Sequence, residues 1–202
     1  MKKLFFILSI MITYSCSEKK NQTIDYYDCT KSNDVEDCIL EQMSYNSLSK
    51  DEKSAIEKTI DLYLWYCENV EVLDQDALVV FNNSLNIYTL NNEHAENYIS
   101  RFQKSGLVSD VFINKLNKKF SEYGEYLIQE QFPAEEEMVG YNADIIMHSQ
   151  DPVFSITREL VEIYKLNVYK EKIIVTLFAP NIKSELVKDK NDQWIINDFY
   201  GY

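Results

Sequence analysis

The chain has 202 residues, 46% of them hydrophobic and 26% charged, with a formal net charge of −13. One domain of ordinary size fits that length, and the acidic balance excludes electrostatic binding to DNA or RNA. With 4 Gly and 2 His, no glycine-rich phosphate loop can be assembled, and little room is left for a histidine metal cage or Ser-His-Asp catalysis.

The chain opens Met1-Lys2-Lys3, runs apolar from Leu4 to Ile12, and then reads Thr13-Tyr14-Ser15-Cys16. A basic start, a short apolar stretch and a small residue mark a secretory signal over residues 1–15. The run falls well short of the ~20 residues of a membrane-spanning helix. Ser15-Cys16 resembles the cleavage box of bacterial lipoproteins, which implies lipid on Cys16 and residence in the cell envelope, at the outer membrane or its periplasmic face. Ordinary cleavage near Ser15, giving a secreted protein, is the alternative. Loss of Lys2 and Lys3 takes the net charge from −13 to −15, so the lipid rather than charge would hold the chain to an anionic membrane.

Cys29, Cys38 and Cys67 remain. Cys29 and Cys38 flank the polar stretch Thr30 to Asp37 and can close a small disulfide loop in an oxidising envelope, with Cys38–Cys67 as the competing pair. Cys67 falls on the apolar side of a predicted helix, where a thiol behaves as a small hydrophobe.

Residues 16–48 read as the lipidated cysteine and a polar tether. Within them Val35, Cys38, Ile39 and Met43 recur at helical spacing, which predicts a short helix from Asp34 to about Tyr45. Residues 49–202 read as a single α+β domain. Ser49 and Glu52 form a capping box, and Ile56, Ile60, Tyr63, Leu64 and Cys67 a single apolar stripe, predicting a helix over about 50–69. Val70 to Leu90 carries no assignable pattern. Asn92 caps a helix with Ala95, Ile99 and Phe102 inward and Gly106 at its end. Ser109 caps another, with Phe112, Ile113, Leu116 and Phe120 inward. Gly124 interrupts it, leaving Glu125 to Gln131 as a further turn or two. Pro133 before Ala134 and Glu135-Glu136-Glu137 has the composition of a helix's first turn, which Gly140 would stop.

After Pro152, Leu160–Tyr169, Lys172–Ala179, Ile182–Lys188 and Trp194–Tyr200 are rich in β-branched and aromatic residues. The turns between them fall at Lys170-Glu171 and Asp189–Asp192. Helices first and strands last is the α+β pattern, with N-terminal helices on a C-terminal antiparallel sheet of about four strands.

The DLYLWY stretch of the first long helix, the segment Ala143-Asp144 through Gln150-Asp151-Pro152, and the terminal Gln193–Phe199 carry a resemblance. Residues 51–202 resemble an uncharacterised bacterial family of the nuclear transport factor two-like superfamily. The resemblance implies a curved, cone-like sheet wrapped by helices, often around a pocket. It implies no activity, since that superfamily spans isomerases, dehydratases, adaptors and binding modules.

Asp144, His148 and Asp151 are the one suggestive cluster, at spacings that share a helix face as far as Pro152 allows. An Asp/His pair there would give an isomerase- or dehydratase-like enzyme its acid and base. Caps and turns use the same residue types, so a structural role is the simpler reading. No spacing matches a metal-ligand motif, and no cofactor is implied. His94 reads as a solvated surface residue. Tyr164 joins Asp144, His148 and Asp151 as a pocket candidate for a small apolar ligand. The leading expectation is a lipid-anchored envelope protein with a non-enzymatic ligand- or protein-binding domain. Besides the enzyme, the alternative is a neutraliser of a basic toxin that uses its negative charge for steering.

Overall fold

The computed structural model describes residues 22–31, 38–73, 77–133, 146, 157–178 and 182–200. The strands are β1 (Thr23–Asp28), β2 (Ile39–Ser44), β3 (Val79–Asn82), β4 (Ile87–Leu90), β5 (Ile163–Val168), β6 (Lys172–Leu177), β7 (Lys183–Lys188) and β8 (Trp194–Tyr200). The helices are α1 (Lys50–Leu73), α2 (Asn92–Ser105) and α3 (Asp110–Glu130), and short 3-10 turns cover Tyr45–Ser47 and Arg158–Leu160.

The main sheet has six strands in the order β2-β1-β5-β6-β7-β8, and β3–β4 form a separate hairpin. This corrects the expected antiparallel sheet of about four strands. The meander β5–β8 is antiparallel throughout, but β1 lies parallel to β5 and brings β2 with it. The sheet is therefore mixed, and an antiparallel cone built from the C-terminal strands alone does not describe it.

The two extra strands occupy the segment read as tether and short helix. Ile24 is fully buried in β1, and Tyr26 reaches down to give its hydroxyl proton to Glu52 at 2.8 Å. The helical spacing of Cys38, Ile39 and Met43 misleads because a disulfide joins Cys29 to Cys38, fixing β2 beside β1 from Asp28↔Ile39 to Thr23↔Ser44. On that edge Ile39 and Leu40 stay exposed, so their apolar character reports no buried helix face.

α1 starts with the reciprocal capping box. The Ser49 backbone N–H donates to Glu52 Oε2 at 2.6 Å, and the Glu52 N–H donates to Ser49 Oγ at 3.2 Å. The helix runs four residues past the expected end because Val70 and Leu73 continue its buried stripe. Asn91, not Asn92, caps α2 by accepting from the His94 N–H, and Gly106 ends it at φ 67°. In that left-handed conformation a side chain is disfavoured. His94 is buried, with its ring 5.9 Å from that of Tyr98, which corrects its reading as a solvated residue. Ser109 caps α3 through the Phe112 N–H. α3 passes through Gly124 without a break, where the helix packs against Leu90 of the β3–β4 hairpin and a Cβ would meet that side chain at an ordinary contact distance of 3.4 Å. The expected interruption does not occur, and one glycine inside a 21-residue helix is tolerated at about 1 kcal/mol.

β3 and β4 fill the unassigned stretch. The Asn82 side chain accepts from the backbone N–H groups of Ser84 and Leu85, and Asn86 takes φ 58°, the turn chemistry that Asn tolerates. The core lies between the helices and one face of the sheet. An aromatic row of Trp65, Phe102, Tyr98 and Phe112 at centroid distances of 4.8–5.4 Å sits above Leu166, Val175, Leu177, Leu186 and Ile196, none of which is exposed. The β8 edge is covered where the Ser109 N–H donates to Ile196 O at 2.9 Å.

The disulfide closes a loop of sequence separation 9, for which loop-closure entropy gives roughly 2–3 kcal/mol. Replacing both cysteines, Cys29→Ser with Cys38→Ser, is expected to lower the urea-unfolding free energy by about that amount. Amide exchange should rise in β2 while β5–β8 remain protected.

Candidate functional site

The expected lipidation residue Cys16 and the cluster Asp144, His148 and Asp151 lie outside the described residues. The described residues place Tyr164 on β5, 48% exposed, with its ring 6.1 Å from Phe178. It is half exposed and lines neither of the clefts formed by the described residues. Cys29 and Cys38 are bonded to each other, and Cys67 is a free thiol buried on α1.

Burial pushes the Cys67 thiol up to about 11, despite the neighbouring Tyr63 hydroxyl, which acts to lower it. A thiol held there is protonated at neutral pH and is no nucleophile. Cys67 is expected to react with dithionitrobenzoate at pH 8 only when the protein is unfolded in guanidinium. Rapid labelling of the native protein would contradict this.

Sequence reasoning missed a polar clasp along α1. Arg158, in the turn before β5, donates through Nη1 to Glu57 and through Nη2 to Asp61. Tyr45 donates to Glu57 at 3.0 Å. Burial pushes the Tyr45 hydroxyl up to about 12, assisted by the Glu57 charge. Burial acts to lower the Arg158 guanidinium, but Asp61 and Glu57 outweigh it and raise it. Each carboxylate in the clasp has a hydrogen-bond donor, although one guanidinium serves two carboxylates and leaves one negative charge in excess; the clasp ties α1 to the turn before β5. The i, i+4 spacing of Glu57 and Asp61 was visible in the sequence; their partner, 101 residues away from Glu57, was not.

A second polar row crosses the sheet. Lys172 meets Glu185 and Lys115 meets Asp198, each at 2.7 Å, and Ser109 donates to Asn197 at 2.9 Å. Burial acts to raise the Glu185 carboxyl, but the Lys172 ammonium more than offsets it and holds the group below its usual value. A depressed carboxyl adds stability above the ordinary glutamate range and loses it as pH falls through the depressed value. Glu185→Gln is therefore expected to be less stable than the parent at neutral pH. The gap should close on acidification, as read from urea midpoints across a pH series.

Two open clefts are lined entirely by described residues. The larger, about 390 Å³, lies between the β3–β4 hairpin and α3. Leu90, Phe120 and Gly124 line it together with Leu85 and Ile128, which are 57% and 53% exposed. Asn82, Asn92, Ser121 and Glu125 supply its polar groups. The smaller, about 290 Å³, lies at the turn end of the sheet among Asp51, Tyr169, Lys170, Glu171, Lys188 and Trp194. Lys188 bonds Asp51 at 2.9 Å and Asp192 at 3.0 Å and stands 5.4 Å from the Trp194 ring centre. That cleft is thus filled on its aromatic side by a paired cation. The hairpin groove keeps its apolar side chains open.

Among the described residues no group of three or more His, Cys, Asp or Glu gathers as a metal site, and no helix is long and apolar enough to cross a membrane. Compared with family models, curated proteins and solved structures, the chain matches none.

Proposed function

We propose that this is a cell-envelope protein, anchored by lipid on Cys16, whose domain binds a small amphipathic molecule without transforming it. The observation that carries the reading is the groove between the β3–β4 hairpin and α3. Its volume of about 390 Å³ falls within the ~300–1,000 Å³ of small-molecule sites. Apolar walls with a few polar groups suit a ligand that has an apolar body and one hydrogen-bonding end. Leu85 and Ile128 stand open at its rim, whereas the charged groups of the α1 clasp and the sheet row are paired with one another. The signal-like start and Cys16 support the envelope placement.

Native mass spectrometry of the full-length protein, gently extracted from its own cells, tests the reading. A retained small molecule is expected, and it should be lost from the variant Leu85→Ser with Ile128→Ser, whose exposed positions leave the core intact. Retention unchanged by that variant would remove the groove as the site. Turnover of a substrate abolished by His148→Ala would replace the binding reading with the enzymatic one.

A further inference from the structure

We infer that Leu160, Tyr164 and Phe178 form a membrane-contact patch that seats the domain on the bilayer beside its lipid anchor. Leu160 and Phe178, at 65% and 61%, are the most exposed large apolar side chains among the described residues, and Tyr164 is 48% exposed. Exposed apolar groups gathered at one place mark a contact surface. Leu160 ends the turn that leads into β5. The Tyr164 and Phe178 rings meet edge to face at 6.1 Å, and the Phe178 N–H donates to Glu162 O at 2.9 Å. The β5–β6 register shifts between Ile163 and Lys165, so Tyr164 is the extra residue of a bulge, a device that re-aims a side chain.

What names the occupant is where the chain arrives. Gln22, the first described residue, gives its side-chain N–H to Ile163 O at 2.8 Å, next to Tyr164 in sequence. Gln22 lies six residues beyond Cys16, a span of at most about 22 Å when extended. A lipid on Cys16 therefore holds this end of the sheet close to the bilayer surface. Tyrosine suits the headgroup level, with its ring buried and its hydroxyl wet. The charges nearby do not provide the attraction: Arg158 is taken by Glu57 and Asp61, Lys183 stands 5.9 Å from the Tyr200 ring centre, and Glu162 is acidic. Contact is apolar and is expected to be insensitive to salt. β1 and β5 run parallel, away from this end, which places the turns at Lys170 and Lys190 about 20 Å away along six-residue strands.

The inference rests on the lipid-anchor reading, and the experiment separates the two. Full-length protein carrying Phe178→Trp, and separately Leu160→Trp, is reconstituted into vesicles of phosphatidylcholine with brominated acyl chains. Lys190→Trp marks the far end, and the parent gives the background of Trp65 and Trp194. Bromine should quench the added emission of the first two variants several-fold more than that of Lys190→Trp, equally at low and high salt. Intact mass of the same samples reports lipid on Cys16. A lipidated protein whose Phe178→Trp and Leu160→Trp emission is no more quenched than Lys190→Trp overturns the patch and leaves the anchor standing. An unlipidated chain overturns the anchor reading and the patch with it.

Discussion

The parallel pairing of β1 with β5 is the constraint on which the rest of the molecule depends. It adds the N-terminal hairpin to the C-terminal meander and makes one six-stranded sheet from segments at opposite ends of the sequence. The Cys29 N–H extends the join by donating to Val168 O at 2.7 Å. With β1 in place, Ile24 closes the core beside Leu166, and Tyr26 reaches the first turn of α1. Apolar burial drives the collapse, but it is non-directional; the strand register decides which residues share a face. Helix α1 is then fixed at one end by its capping box and along its length by Arg158. Partly exposed ion pairs contribute little each, so the clasp chiefly sets position, while burial of the apolar core supplies the driving force.

The division of labour between polar and apolar groups bears on function. Several charged side chains, Glu57, Asp61, Arg158, Lys115, Asp198, Lys172 and Glu185, hold elements together. The open surfaces are apolar: the groove below the β3–β4 hairpin and the patch around Phe178. They lie on different elements of the domain, the groove on the β3–β4 hairpin and α3 and the patch on β5 and the end of β6.

The sequence made the locally determined parts legible. Ser49 with Glu52, Ser109 before Phe112, and Gly106 after α2 each act within one helical turn, and each is where spacing and capping chemistry put it. The four C-terminal strands were visible because their turns are short and their residues β-branched. What failed to show was non-local. β1 reads as polar linker because only Ile24 is fully buried in it, and its stability comes from a partner strand far along the chain. β2 carried a false helical period because a disulfide, not a buried face, decides its conformation. Gly124 looked like a helix breaker because a local window does not show the hairpin residue Leu90 that packs against α3 there. The Arg158 clasp and the patch failed to show for the same reason, since each joins residues that no local window contains.

The join between β1 and β5 also sets a clock. Gln22 and Ile163 are 141 residues apart, so among the described strands β1 waits longest for one of its two neighbours. Contacts of such separation require most of the chain to be present before they form, and they slow folding. Until then the N-terminal hairpin has a pairing edge and no sheet to join.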